Sequence, residues 1–261
     1  MSEDDANDCK WGWSRITKMQ DATGNDLLVN MEYIQNDDAN DYDKSVVRIP
    51  LVNPVMPYET AVYDLDFTAQ MPQIIARAGY SKDYHFLVHW FPKIGVYEPA
   101  GMRYAEKGQW NCHQFHGNTE FYADFGVYNV DITVPKGYIV GASGSLQKIT
   151  EHGDTQTHSY LAEAVLDFAW PACEDFVVIE DQWKGVAIRL LTFPQHEHYS
   201  HRYLNSVKNA MEYLDEYVGE YPYPTLTILD PPFYGIFSGG MEYPTLITGG
   251  GLYGVSEGIR F

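Results

Sequence analysis

Apolar and polar positions alternate with a period of two in several short stretches of the first two thirds of the chain. Tyr63, Leu65 and Phe67 alternate with Asp64, Asp66 and Thr68, the pattern of a half-buried strand. Tyr128, Val130, Ile132 and Val134 alternate with Asn129, Asp131 and Thr133, and Pro135-Lys136-Gly137 closes that run with a turn. Further strands are expected over 27–34, 44–51, 83–91, 138–143, 156–164 and 174–180. No helical period competes with them, so residues 1–182 read as a mostly antiparallel sandwich or saddle.

The pattern changes near Trp183. A strand is expected over 186–192. Leu204, Val207, Met211, Leu214 and Val218 then fall on one face of a helix of about 18 residues. Ser200 is placed to cap its start and Gly219 to end it, and Pro222 and Pro224 forbid its continuation. A strand over 226–229 leads into Asp230-Pro231-Pro232. The fold class expected is therefore mainly β. An N-terminal domain over 1–182 is followed from 183 to 261 by the opening strands and helix of an α+β domain, which looks truncated.

Composition sharpens this picture. The 261 residues carry 21 Tyr, 12 Phe and 6 Trp, an aromatic load suited to sheets. The net charge of −19 repels nucleic acid and anionic lipid, so neither is expected as a partner. No apolar run approaches the ~20 residues of a membrane span, and the N-terminus lacks the basic and apolar regions of a signal peptide. Localisation stays open. Cys9, Cys112 and Cys173 show no C-x-x-C spacing, which argues against a disulfide framework or a zinc knuckle.

The most specific stretch is Gly239-Gly240-Met241-Glu242-Tyr243-Pro244. Two glycines allow a turn and the close approach of a ligand. Met241 fills gaps, and Glu242 offers an acceptor-only carboxylate suited to a primary ammonium group. The bland alternative is a Gly-Gly turn followed by a solvent-facing Glu.

Gly239 to Tyr243 resembles the Gly-x-Met-Glu-Asn signature of the gluzincin zinc aminopeptidases, the family of membrane alanyl aminopeptidase and leukotriene hydrolase. The resemblance extends upstream. Trp90 to Glu98, Glu120 to Gly126 and Val130 to Pro135 are similar to the N-terminal saddle domain of bacterial members, and Tyr221-Pro222-Tyr223-Pro224 ahead of Asp230-Pro231-Pro232 also fits. The resemblance implies a thermolysin-like catalytic domain beginning near 183 and a parent enzyme that removes N-terminal residues from peptides by metal-activated water. It implies that Glu242 holds the free α-amino group of a peptide substrate, with Gly239, Gly240, Met241 and Tyr243 along the substrate strip. Tyr243 stands where the family usually has Asn. The family's zinc ligands lie in H-E-x-x-H and a later Glu, and no H-E-x-x-H occurs in these residues. Zinc is thus expected in the full-length parent and no cofactor in this chain. The chain alone is expected to be inactive, an internal fragment whose partners are peptide substrate and the missing catalytic and C-terminal segments of the same protein. The alternative is a non-catalytic β-rich binding or scaffold module derived from such a peptidase.

Three other clusters carry metal-ligating residue types. His196, His198 and His201 lie just before or at the helix start. Cys112, His113 and His116 have zinc chemistry, with Glu120, His85 or His89 as a fourth ligand. The acidic loop Asp37 to Asp43 has carboxylates for calcium but lacks the central Gly and late Glu of an EF-hand. The simpler reading of the first is a polar loop at a helix entry, of the second a loop that packs Phe115 and Phe121 with His at its rim, and of the third a solvated turn. No Ser-His-Asp signature, P-loop or dinucleotide fingerprint is present.

Overall fold

A computed structural model describes residues 11–74, 76–114 and 122–250. In chain order the strands begin with β1 Trp13–Asp21, β2 Glu32–Tyr33, β3 Val47–Arg48, β4 Tyr63–Gln70, β5 Gly79–Ser81, β6 Tyr84–Leu87, β7 Val96–Glu98 and β8 Gln109–Asn111. They continue with β9 Gly126–Pro135, β10 Ile139–Val140, β11 Ser145–His152, β12 Thr155–Val165, β13 Trp170–Cys173, β14 Val177–Trp183 and β15 Val186–Thr192. Helix α1, Ser200–Tyr217, is followed by β16 Thr225–Leu229, β17 Met241–Tyr243 and β18 Leu246–Thr248. The protein is mainly β, with one α-helix near the C-terminal end of the described residues.

The chain forms two compact units. The first draws on residues up to 70 and on 90–124, the second on 71–89 and from 125 onward. In the first, β1 and β4 form an antiparallel ribbon whose register shifts between Ile16 and Lys18. The alternation read along β4 is present, with Tyr63, Leu65 and Phe67 half-buried and their polar neighbours exposed. The strand expected over 27–34 is instead a 3₁₀ turn, Leu28–Asn30, followed by the two residues of β2. The cause is local: Asp26 Oδ1 accepts from Leu28 N at 2.9 Å and bends the backbone into a turn. The strand expected over 44–51 shrinks to β3, since Asp43 Oδ1 ties Ser45 N into a turn at 2.7 Å and Pro50 cannot donate to a ladder.

The second unit holds three sheets. β5, β6, β13 and β10 form one, in the order β10-β13-β6-β5. β9, β12 and β11 form an antiparallel sheet with β12 central. The third runs β14-β15-β16-β18-β17, with β15, β16 and β18 parallel and both edge strands antiparallel. Parallel neighbours need a crossover, and α1 supplies it between β15 and β16. One cluster packs Tyr84 and Phe86 of β6 with Leu191, Leu229, Tyr243 and Leu246. Another packs Leu204 and Met211 of α1 against Val186, Ile188, Leu226 and Ile228. The change of element type near 183 thus occurs inside one packed unit.

Two helix details differ from expectation. Ser200 is the first helical residue rather than the cap. The 3₁₀ turn Glu197–Tyr199 feeds directly into α1, so Ser200 already has φ −55° and ψ −42° and no side chain caps the end. The apolar stripe is covered only in part: Leu214 and Val218 are exposed. A helix of 18 residues spans about 27 Å while the five residues of β16 span about 17 Å, so the helix outruns the sheet beneath it. Gly219, at φ +133°, follows the helix end and donates its N–H to Leu214 O at 3.0 Å.

Candidate functional site

The motif Gly239–Tyr243 sits at one edge of the five-stranded sheet. β16 is buried through Leu226–Leu229, as a parallel central strand must be. Pro232 is extended and opens a 3₁₀ turn, Phe233–Ser238, whose last residue lies beneath Tyr84: Tyr84 OH and Ser238 Oγ are 2.7 Å apart. Burial raises the Tyr84 phenol far above its ordinary pKa, so it stays a neutral hydroxyl. The backbone then turns through the two glycines into β17, pairs back with β18 in the register Met241↔Thr248, Glu242↔Ile247, Tyr243↔Leu246, and reverses at Pro244-Thr245. Pro followed by a residue at φ +59° is the pattern of a type II turn. Thr245 tolerates that φ because it is pinned: its Oγ1 accepts from Gly144 N at 2.6 Å and its carbonyl from Thr227 N at 2.8 Å.

The two glycines are required for different reasons. A Cβ on Gly239 would fall 2.3 Å from the Gly249 carbonyl oxygen, so this position is glycine through close backbone approach. Gly240 has open space around a Cβ but φ +78°, so there the dihedral decides. Gly240 N donates to Thr248 O, and Met241 N to Thr248 Oγ1, both at 2.8 Å.

Strand alternation sorts the next three side chains. Met241 and Tyr243 turn inward. Tyr243 is 4% exposed, and its ring stands edge-on to Phe86, with centroids 5.6 Å apart at 74°. Glu242 points the other way and is exposed. Among the described residues no hydrogen bond or ion pair engages its carboxylate. Among the described residues β17 pairs only with β18, and no strand lies on its other backbone edge. Among the described residues the candidate site is therefore an exposed carboxylate on an edge strand, held by a glycine turn on one side and a core tyrosine on the other. Such an arrangement can accept a charge-assisted hydrogen bond from a cation.

A group to which the sequence reading assigned no role lies at the carboxyl end of β16. Asp230 is fully buried and accepts from Thr192 Oγ1 at 2.7 Å and Tyr203 OH at 2.8 Å, with His196 Nδ1 at 2.9 Å. An aspartate after an apolar strand is a weak signal, because its three partners come from positions 27 to 38 residues earlier.

The histidine cluster His196, His198 and His201 is divided by this geometry. His196 turns inward to Asp230, whereas His198 is exposed and lies tilted at 42° against the Tyr199 ring with centroids 3.9 Å apart. His201 is exposed on the first turn of α1. In the first unit, His113 and the acidic loop are partners of each other. His113 Nδ1 and Gln114 N each lie 2.7 Å from an Asp37 carboxylate oxygen, Gln114 Nε2 reaches Asp38 Oδ1 at 3.1 Å, and Asn36 donates to Cys112 O at 2.8 Å. The loop carboxylates thus serve as an internal clasp. His116 and Glu120 lie outside the described residues. Among the described residues no three His, Cys, Asp or Glu side chains are grouped to hold a metal ion, and no helix is long and apolar enough to cross a membrane.

The sequence matches no family model and no curated protein. Solved structures resemble the fold. Legionella pneumophila aminopeptidase A, in complex with aspartic acid, superposes with a TM-score of 0.57 at 16% identity over 91% of this chain and 25% of its own. A two-domain M1 zinc metallopeptidase variant bound to L-arginine gives 0.53 at 17% identity, over 85% of this chain and 48% of its own. The M1 zinc metallopeptidase of Deinococcus radiodurans, as a variant bound to a Tyr-Ser-Ala substrate, gives 0.52 at 18% identity, over 84% and 47%. The chain thus spans between a quarter and a half of these structures, and its mainly β fold matches their N-terminal region.

Proposed function

We propose that this chain is part of a zinc-dependent aminopeptidase, and that Glu242 is its anchor for the substrate's free α-amino group. In this reading residues 1–182 are the β-saddle domain and 183–261 open the catalytic domain. The observation that carries the reading is the exposed Glu242 carboxylate, without a partner among the described residues, on an edge strand entered through Gly239 and Gly240. The neighbours support it: one is an aminopeptidase and two are zinc metallopeptidases, and all three were captured with an amino acid or a short peptide.

The physical division of labour is as follows. Glu242 accepts hydrogen bonds from an ammonium group, which favours a chain end over an internal peptide bond. Gly239 and Gly240 keep side chains off the strip, and Met241 and Tyr243 anchor the strand from beneath. Tyr243 contributes through its backbone, since its ring belongs to the core. A solvent-exposed carboxylate is worth little by itself, roughly 0–1 kcal/mol per ion pair. The rest of the parent protein would strengthen it by excluding water. The described residues do not provide a zinc site, so no chemical step is assigned to them.

The test is recognition of a free amine. The Glu242 carboxylate carbon, followed by ¹³C NMR, should move on addition of L-alaninamide and stay still with N-acetyl-alaninamide. Equal response to both compounds, or none to either, refutes the anchor. In a parent chain carrying the zinc ligands, Glu242→Ala should raise KM and lower turnover with zinc content unchanged. The source locus should continue past Phe261 into H-E-x-x-H with a later Glu, whereas an immediate stop codon refutes the catalytic reading.

A further inference from the structure

Asp230 holds three donors that converge from separate places: the end of β15 (Thr192), the loop after it (His196) and the first turn of α1 (Tyr203). Its own N–H donates to Leu191 O at 2.8 Å. A carboxylate withdrawn from water is tolerated only where donors replace the lost hydration. This one has them, so its geometry is fixed from several sides. The fixed geometry reaches the motif through a continuous line of contacts. The Tyr203 ring lies against Gly249, where a Cβ would fall 2.6 Å from Cε1. The Gly249 carbonyl in turn fills the space of the missing Gly239 Cβ, and Gly249 N donates to Leu229 O at 2.7 Å.

We propose that Tyr203 and Asp230 are positioning residues for the Gly239–Glu242 segment. The buried carboxylate fixes the Tyr203 hydroxyl, the tyrosine ring fixes Gly249, and Gly249 fixes the backbone from which Glu242 projects. The proposal rests on the reading of Glu242 as an ammonium anchor and extends it to two residues that act through the backbone. It also gives Gly249 a reason: any side chain there displaces the ring and, with it, the Gly239 contact.

The test uses the full 261-residue chain. Tyr203→Phe keeps the ring and removes the hydrogen bond to the carboxylate. Amide exchange at Gly240, Met241 and Gly249 should quicken about tenfold, the scale of one hydrogen bond to a charged group, while the β9–β12 ladder in the same unit keeps its wild-type protection. The response of the Glu242 carboxylate carbon to L-alaninamide should shrink, by at most the roughly fivefold that a surface ion pair contributes. Gly249→Ala, which pushes on the ring at Cε1, should disturb the same signals. Unchanged exchange at Gly240 and Met241, or loosening spread evenly over the whole unit, overturns the proposal. If Tyr203→Phe fails to fold, Gly249→Ala decides by the Glu242 signal, and no change there is equally fatal. A wild-type chain that ignores L-alaninamide sinks the anchor reading instead, and positioning is then judged by amide exchange alone.

Discussion

Tyr243 stands edge-on against Phe86, and this contact explains why the residue after the exposed Glu242 is a large aromatic. Asn, the usual residue of the resembling family, would leave a cavity here and bury an amide. Removing a buried aromatic ring costs about 3–5 kcal/mol. Tyr243→Asn should therefore lower the urea midpoint sharply, and Tyr243→Phe far less. Equal, small losses from both would show that the ring does not support the core.

Glu242, one residue earlier, should behave oppositely. It is exposed, and its carboxylate makes no hydrogen bond or ion pair among the described residues, so Glu242→Ala should change stability by no more than about 0.5 kcal/mol. Denaturant unfolding of this variant beside Tyr243→Asn separates the exposed face of the strand from its core face. A large loss for Glu242→Ala would mean that its carboxylate is engaged internally.

The two motif glycines should respond unequally to alanine. Gly239→Ala drives a methyl into the Gly249 carbonyl, which backbone cannot easily yield, and overpacking of this kind costs about 1–3 kcal/mol. Gly240→Ala meets open space and bears only the left-handed dihedral, about 1–2 kcal/mol. The larger loss should fall on Gly239. The reverse order, measured by the same unfolding curves, would contradict the close approach of Gly249.

His158 should make the protein acid-sensitive. It lies buried in β12, with neither ring nitrogen hydrogen-bonded among the described residues. Burial, and then the Arg189 guanidinium, lower its pKa below the ordinary 6.5. The folded chain therefore binds this proton less readily than the unfolded chain does. Stability is full above about pH 6.5 and declines as pH falls toward the lowered folded value. His158→Leu should flatten that part of the pH–stability curve between pH 7.5 and 5. An unaltered slope would assign the acid sensitivity to other groups.

These elements also show what the sequence could reveal. β4, β9, β12 and β15 were legible because one face of each alternates or is wholly apolar, and α1 because Leu204, Val207 and Met211 recur at helical spacing. β1 and β11 escaped notice since neither carries a buried residue to mark an inner face. β17 and β18 are three residues each, too short for any period, and their pairing is set by the Pro244-Thr245 turn. Glu242 was legible through its motif. Asp230 and Tyr203 were not, because their significance lies in a meeting of residues 27 positions apart.

The second unit is assembled from two stretches of chain, and β6 finds its partner β13 only across the excursion of residues 90–124. Leu87 pairs with Trp170, so during vectorial synthesis the strand leaves the ribosome well before its complement exists. At about 5–20 residues per second, that interval is roughly 4–16 s. For that time Tyr84 and Phe86, both fully enclosed in the finished fold, are apolar side chains without a core. The nascent chain is thus open to misassociation at a strand whose two aromatic side chains later become fully enclosed.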